Sequence, residues 1–136
     1  MSDPIQIVKE LYAAFGRGDV ATILSTLSHD VSWEVAGPPE ISFAGVRKGP
    51  EAVKGFFHAI ASDHAEPKLE TTEYFSSADS VATFGRYSCT LKKSGKPVDS
   101  PVAHLFKFRD GKIVRFVDFI NTAAFLESGQ SSAVAR

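Results

Sequence analysis

A single cysteine, Cys89, stands in the 136 residues, so neither an internal disulfide nor a cysteine-built metal site can form. Charge of neither sign dominates, with 15 Lys and Arg against 16 Asp and Glu. A chain that neutralises phosphates needs a basic excess, so nucleic acid is not an expected partner. No apolar run approaches the ~20 residues of a membrane span, so no membrane partner is expected. Met1-Ser2-Asp3-Pro4 has neither the charged nor the greasy stretch of a secretory leader, and the expected location is cytoplasmic. His29, His58, His64 and His104 form no helical pair at a metal spacing, and no glycine-rich phosphate loop occurs. Hence no metal and no cofactor is expected. Ser88, His104 and Asp118 share the letters of a hydrolase triad but lack its Gly-x-Ser-x-Gly elbow. Phenylalanine, in contrast, is abundant: 11 occur beside one Trp and three Tyr. That is more aromatic volume than a small core needs, and it points to a lined cavity.

The length suits one domain with one core, spanning residues 1–128 and followed by a polar tail at 129–136. Asp3 suits a helix cap and Pro4 the first helical position. Ile5, Val8, Leu11, Tyr12 and Phe15 then recur on one face. Residues 16–19 break that helix, and Asp19 can cap a second over 20–27 whose buried stripe is Val20, Ile23, Leu24 and Leu27. Residues 31–35 alternate as a half-buried strand. A third helix starts after Gly49, with Pro50 in its first turn and Val53, Phe56, Phe57 and Ile60 as its apolar face. Strands follow over 68–75, 81–91, 98–108 and 112–120, punctuated by turn residues, and a short helix closes at 122–128. Helices first and long strands after them give an α+β fold, with a strongly curved antiparallel sheet wrapped around the helices.

The last hairpin carries the chemistry. A three-residue Arg109-Asp110-Gly111 loop pairs Phe108 with Lys112 and sets His104 opposite Phe116, with Asp118 diagonally beside it. His104, Phe106, Phe108, Phe116, Asp118 and Ile120 then share one face. A carboxylate withdrawn from water among phenylalanines holds its proton more tightly, which suits proton transfer on a carbonyl substrate. His104 is placed to donate to an oxygen gaining charge, or to hold Asp118. The bland alternative pairs Asp118 with Arg86 or Arg115 and leaves His104 a satisfied sheet histidine. Arg86 and Ser88 share a strand face with Ala82, Phe84 and Thr90, either inward, where Arg86 suits an anionic or carbonyl group, or at the surface. Tyr12, Trp33 and Phe57 are candidate pocket walls, with ordinary core packing as the alternative. Phe15 and Phe56 read as core.

The run Val8-Lys9-Glu10-Leu11-Tyr12-Ala13-Ala14-Phe15 with Gly18-Asp19 resembles the opening of the nuclear transport factor 2-like superfamily. Asp30-Val31-Ser32-Trp33-Glu34, Gly45, Gly49 and the Val53-Phe56-Phe57 helix continue the likeness. The stretch His104 to Ile113 and Asp118 resemble its SnoaL-like, ketosteroid isomerase-related branch. The resemblance implies a cone-shaped fold, a pocket between helices and concave sheet, and a homodimer. It also places Asp118 where SnoaL-type cyclases and limonene epoxide hydrolase carry a catalytic aspartate. The base of ketosteroid isomerase falls on Val35, its oxyanion aspartate on His104, and its tyrosine on Leu11 or Tyr12, so that isomerase reaction is disfavoured. Limonene epoxide hydrolase matches at Arg86 and Asp118, but its second aspartate falls on Ser88 and its water-holding asparagine on Val35, so epoxide hydrolysis is disfavoured as well.

The expectation is therefore a cofactor-independent acid/base enzyme of isomerase, cyclase or hydrolase type, acting on a small apolar carbonyl or polycyclic compound. Asp118 and His104 are the catalytic pair, and Tyr12, Trp33, Val35, Phe57, Arg86, Ser88, Phe106, Phe116 and Ile120 are the substrate contacts. The alternative is a non-catalytic module that binds a lipophilic ligand or a partner protein. A homodimer is expected through the outer sheet face, with Val117, Phe119, Leu105, Tyr87 and Leu91 on it.

Overall fold

The computed structural model describes residues 3–129, so most of the expected tail at 129–136 lies outside the described residues. Helix α1 (Pro4–Arg17) buries Ile7, Val8, Leu11 and Ala14. It starts on Pro4, but the Asp3 side chain makes no capping hydrogen bond, and the Asp3 carbonyl accepts from Ile7 N–H instead. Gly18, at φ 71°, ends it in the left-handed conformation that glycine adopts without strain. Asp19 does cap α2 (Val20–Ser25), its carboxylate accepting from the backbone and hydroxyl of Thr22. This helix stops short of the expected 20–27, because Leu27 already belongs to strand β1 (Leu27–Val35).

Strand β2 (Gly45–Lys48) was not anticipated. Four mostly exposed residues carry no period from which a strand can be read. Helix α3 (Pro50–Asp63) buries Val53, Phe56, Phe57 and Ile60. Strands β3 (His64–Ser77), β4 (Ser80–Leu91), β5 (Pro97–Arg109) and β6 (Lys112–Ile120) follow, then α4 (Thr122–Gly129). The six strands form one sheet in the order β2-β1-β6-β5-β4-β3. Every pairing is antiparallel except β1 with β6, which is parallel.

Two irregularities shape that sheet. The β5–β6 hairpin turns on Asp110-Gly111 alone, both at positive φ, with Arg109 opposite Lys112. A bulge then shifts the register by one after Phe108↔Ile113, leaving Val114 unpaired. The expected three-residue loop is therefore replaced by a two-residue turn plus a bulge. The inward face comes out the same, but His104 lies directly opposite Asp118 instead of diagonal to it. The second irregularity bends the far side, where β3 bulges between Thr71 and Glu73 as it passes Gly85 of β4. A Cβ on Gly85 would sit 2.0 Å from the Glu70 carbonyl oxygen, so only glycine permits this approach.

The concave face holds the core. Trp33 stacks on Phe116 with ring centroids 3.9 Å apart, and Phe56 and Phe57 of α3 close on it from the helix layer.

Candidate functional site

Sheet register brings three side chains into one inward row, Asp118 of β6 opposite His104 of β5 and His104 opposite Thr83 of β4. All three are buried. Tyr12 reaches this row from α1. Its hydroxyl lies 2.7 Å from Thr83 Oγ1 and 2.6 Å from His104 Nδ1, and His104 Nε2 lies 3.5 Å from Asp118 Oδ1. Burial holds the Tyr12 phenol well above its ordinary pKa, so it keeps its proton. One hydroxyl proton serves two neighbours, so Tyr12 donates either to His104 Nδ1 or to Thr83. In one order, Thr83 donates to Tyr12, Tyr12 donates to His104 Nδ1, and the imidazole presents Nε2–H to Asp118. In the other, His104 donates from Nδ1 to Tyr12, and Tyr12 donates to Thr83.

The Asp118–His104 separation exceeds a formed hydrogen bond, and Asp118 Oδ1 and Trp33 Nε1 are both buried without a hydrogen-bond partner. The expected alternative partners are elsewhere. Arg115 occupies the opposite face of β6, and Arg86 pairs with Asp99 at 2.9 Å.

These groups border a cavity with about 60 Å³ reachable by the centre of a water molecule. Tyr12, Trp33, Phe57, His104, Phe116, Asp118 and Ile120 line it, as do Phe15 and Phe56, which the sequence reading assigned to core. Val35 and Phe106 do not reach it. Both are fully buried beneath the lining, Val35 beside Asp118 in the parallel β1–β6 pairing.

Arg86 and Ser88 do not reach it either. The inward face of β4 is Val81, Thr83, Tyr87, Cys89 and Leu91, so Arg86 and Ser88 point outward and Arg86 is exposed. A one-residue change of parity exchanges the two faces of a strand, and it moves Tyr87 and Leu91 from the expected outer face to the inside. Tyr87 is the functional candidate that the sequence reading missed. The signal was present in the alternation of Val81, Thr83, Tyr87, Cys89 and Leu91, but Phe84 and Ala82 offered a competing apolar phase.

Tyr87 accepts or donates a 2.7 Å hydrogen bond with His64 Nδ1. His64 stacks on Phe125 of α4 and meets Phe43 edge-on. This aromatic wall divides the cavity from an open cleft lined by Ser42, Asp63, Lys92 and Lys93. Burial holds the His64 imidazole below its ordinary value, with Asp63 pulling the other way. Unfolding frees His64 to bind a proton near pH 6.5. The unfolded chain then binds more protons than the folded one below that pH, so stability present above pH 6.5 is lost on acidification. Thermal melts from pH 7 to 5 are expected to fall more steeply in the wild type than in His64→Asn. Equal slopes would contradict this.

Among the described residues no group of His, Cys, Asp and Glu could hold a metal ion, and no helix is long and apolar enough to cross a membrane.

The model of the SnoaL-like domain family matches residues 8–116. The chain belongs to that family. SnoaL-like relatives include an uncharacterized protein of Mycobacterium tuberculosis (strain ATCC 25618 / H37Rv), 27% identical over 124 residues that cover 91% of this chain and 93% of that one. Among solved structures, an NTF2-like protein of unknown function from Burkholderia pseudomallei K96243 superposes with a TM-score of 0.89 at 27% identity, covering 96% of this chain and all of that one (100%). TerC, co-crystallised with polyporic acid, superposes at 0.84 with 27% identity, covering 93% of this chain and 98% of that one. The cone-shaped NTF2-like fold expected from the resemblance is therefore the fold of this chain.

Proposed function

We propose that this SnoaL-like protein is a cofactor-independent acid/base enzyme acting on a small, apolar, enolisable carbonyl compound. The observation that carries the reading is Asp118, turned into an aromatic cavity beside His104. Its carboxylate is placed to remove a proton α to a carbonyl and to return it at another atom. Asp118 holds the proton between the two halves of the reaction, and His104, linked through Tyr12 to Thr83, is placed to donate to the oxygen that gains charge. The aromatic walls favour a flat ring system, and co-crystallisation of TerC with polyporic acid supports a ring-shaped occupant. With Val35 where a steroid isomerase has its base, and Ser88 outside the cavity, steroid isomerisation and epoxide hydrolysis stay disfavoured. The test is proton exchange at the α-carbon of 2-tetralone in heavy water, wild type against Asp118→Asn. Binding of the ketone with no exchange by either protein would instead establish passive ligand binding.

The reading includes a homodimer through the outer sheet face. Two rows of outward side chains adjoin there, Phe119–Ala103–Phe84 and Val117–Leu105–Ala82–Phe75. Phe119 and Phe75 are each 56% exposed and Phe84 is 44% exposed, an apolar patch that soluble monomers seldom leave wet. Pairing of this face with its own copy would cover it. Sedimentation is expected to give a dimer at micromolar concentration and a monomer for Phe119→Asp. A wild-type monomer would refute the pairing.

A further inference from the structure

The concave face carries a second polar position that the Asp118 row does not use. Along β4, Tyr87 lies four residues beyond Thr83, about 13 Å of extended backbone. Between them runs an apolar inward row, Ile120 opposite Val102 and Val102 opposite Gly85. The cavity is thus polar at the Asp118 row, apolar across Val102 and Ile120, and polar again at Tyr87.

The His64 bond leaves Tyr87 with capacity to spare. A phenol offers one proton and two lone pairs, and its contacts with His64 Nδ1 and the Cys89 side chain use two of the three. If His64 donates from Nδ1, the phenol proton is shared between the Cys89 sulfur and the cavity. If His64 accepts, the phenol oxygen still has a lone pair to offer beside the one turned to the Cys89 thiol. His64 is itself clamped by Phe125 and Phe43, so the Tyr87 hydroxyl has little freedom to turn away. A group immobilised in this way suits recognition better than a mobile one, because the entropy of ordering it has already been spent in folding.

We propose that Tyr87, positioned by His64, is a second hydrogen-bonding contact for the ligand of the cavity, which therefore carries two oxygen functions at opposite ends of a flat apolar frame. Tyr87 touches the ligand, and His64 acts through Tyr87. The proposal rests on the reading that the cavity takes an apolar oxygen-bearing compound, and it adds where the second oxygen belongs.

Three probes separate the two claims: naphthalene, 2-naphthol and 2,6-dihydroxynaphthalene. Binding is read by quenching of Trp33, the sole tryptophan, which lines the cavity. The diol gains a statistical factor of about two from its symmetry, and one neutral hydrogen bond adds about three- to tenfold. The expected diol-to-naphthol ratio is therefore about six to twenty in the wild type. In Tyr87→Phe it is expected to fall to about two, and in His64→Leu to fall part of the way. 2-Naphthol binding by each variant shows that the cavity is intact. A wild-type ratio near two, or a high ratio that survives in Tyr87→Phe, overturns the Tyr87 assignment and leaves the carbonyl-enzyme reading standing. Failure of all three probes to bind overturns both.

Discussion

Asp118→Asn is expected to slow deuterium uptake at the α-carbon of 2-tetralone by about 10²- to 10⁴-fold, the contribution of one positioned proton-transfer group. The reason is local. Asparagine keeps the shape of the side chain and its contact with His104, so the ketone should bind within a few-fold of its wild-type affinity. An amide nevertheless has no basic oxygen for a carbon-bound proton, and among the described residues no other carboxylate lines the cavity. His104 turns Nε2 toward position 118, and with Tyr12 donating to Nδ1, Nε2 carries the imidazole's proton and is no base. NMR of the ketone in heavy water at matched occupancy reads the effect directly. Undiminished exchange in the variant would remove Asp118 from the reaction.

Gly85→Ala should be the most damaging single-methyl change in the sheet. The added carbon would meet the Glu70 carbonyl oxygen at 2.0 Å and Thr71 Cα at 2.8 Å, and both neighbours are backbone in a paired strand. No rotamer change relieves such a contact, so β3 must peel away or the sheet must flatten. Either response disturbs Leu69 and Tyr87, which pair across these strands and line the cavity. The expected loss is about 4 kcal/mol or more, in the exceptional range for one substitution. That corresponds to a fall in melting temperature of more than about 10 °C. A variant that melts within a few degrees of the wild type would show that the two strands do not approach so closely.

Much of this was legible in the residues alone, for identifiable reasons. The α1 and α3 faces follow a helical period over fourteen residues each. The long β5 and β6 runs alternate with aromatic and charged residues too different to exchange faces. The shared inward face of Asp118 and His104 was legible because both lie on such strands. The hairpin nevertheless reached its inward face by a route the sequence conceals, since a bulge at Val114 leaves no compositional mark. Strand β4 was misread because both of its faces are partly apolar. Phe84 lies outward among Ala82 and Arg86, while Tyr87 lies inward and carries a polar tip. Only pairing with β5, where Val98, Ser100 and Val102 are buried and Pro97, Asp99 and Pro101 are exposed, decides between the two phases.

The parallel seam between the first strand and the last has a consequence for synthesis. Trp33 finds Phe116 as its neighbour at a sequence separation of 83, and ordering so long a loop is slow. While the ribosome is still delivering the middle of the chain, β1 has only β2 beside it and its other border stays open. The hollow beneath the curved sheet can therefore form only once nearly the entire polypeptide has emerged, and until then an indole and a cluster of benzyl groups depend on transient collapse or a chaperone for cover.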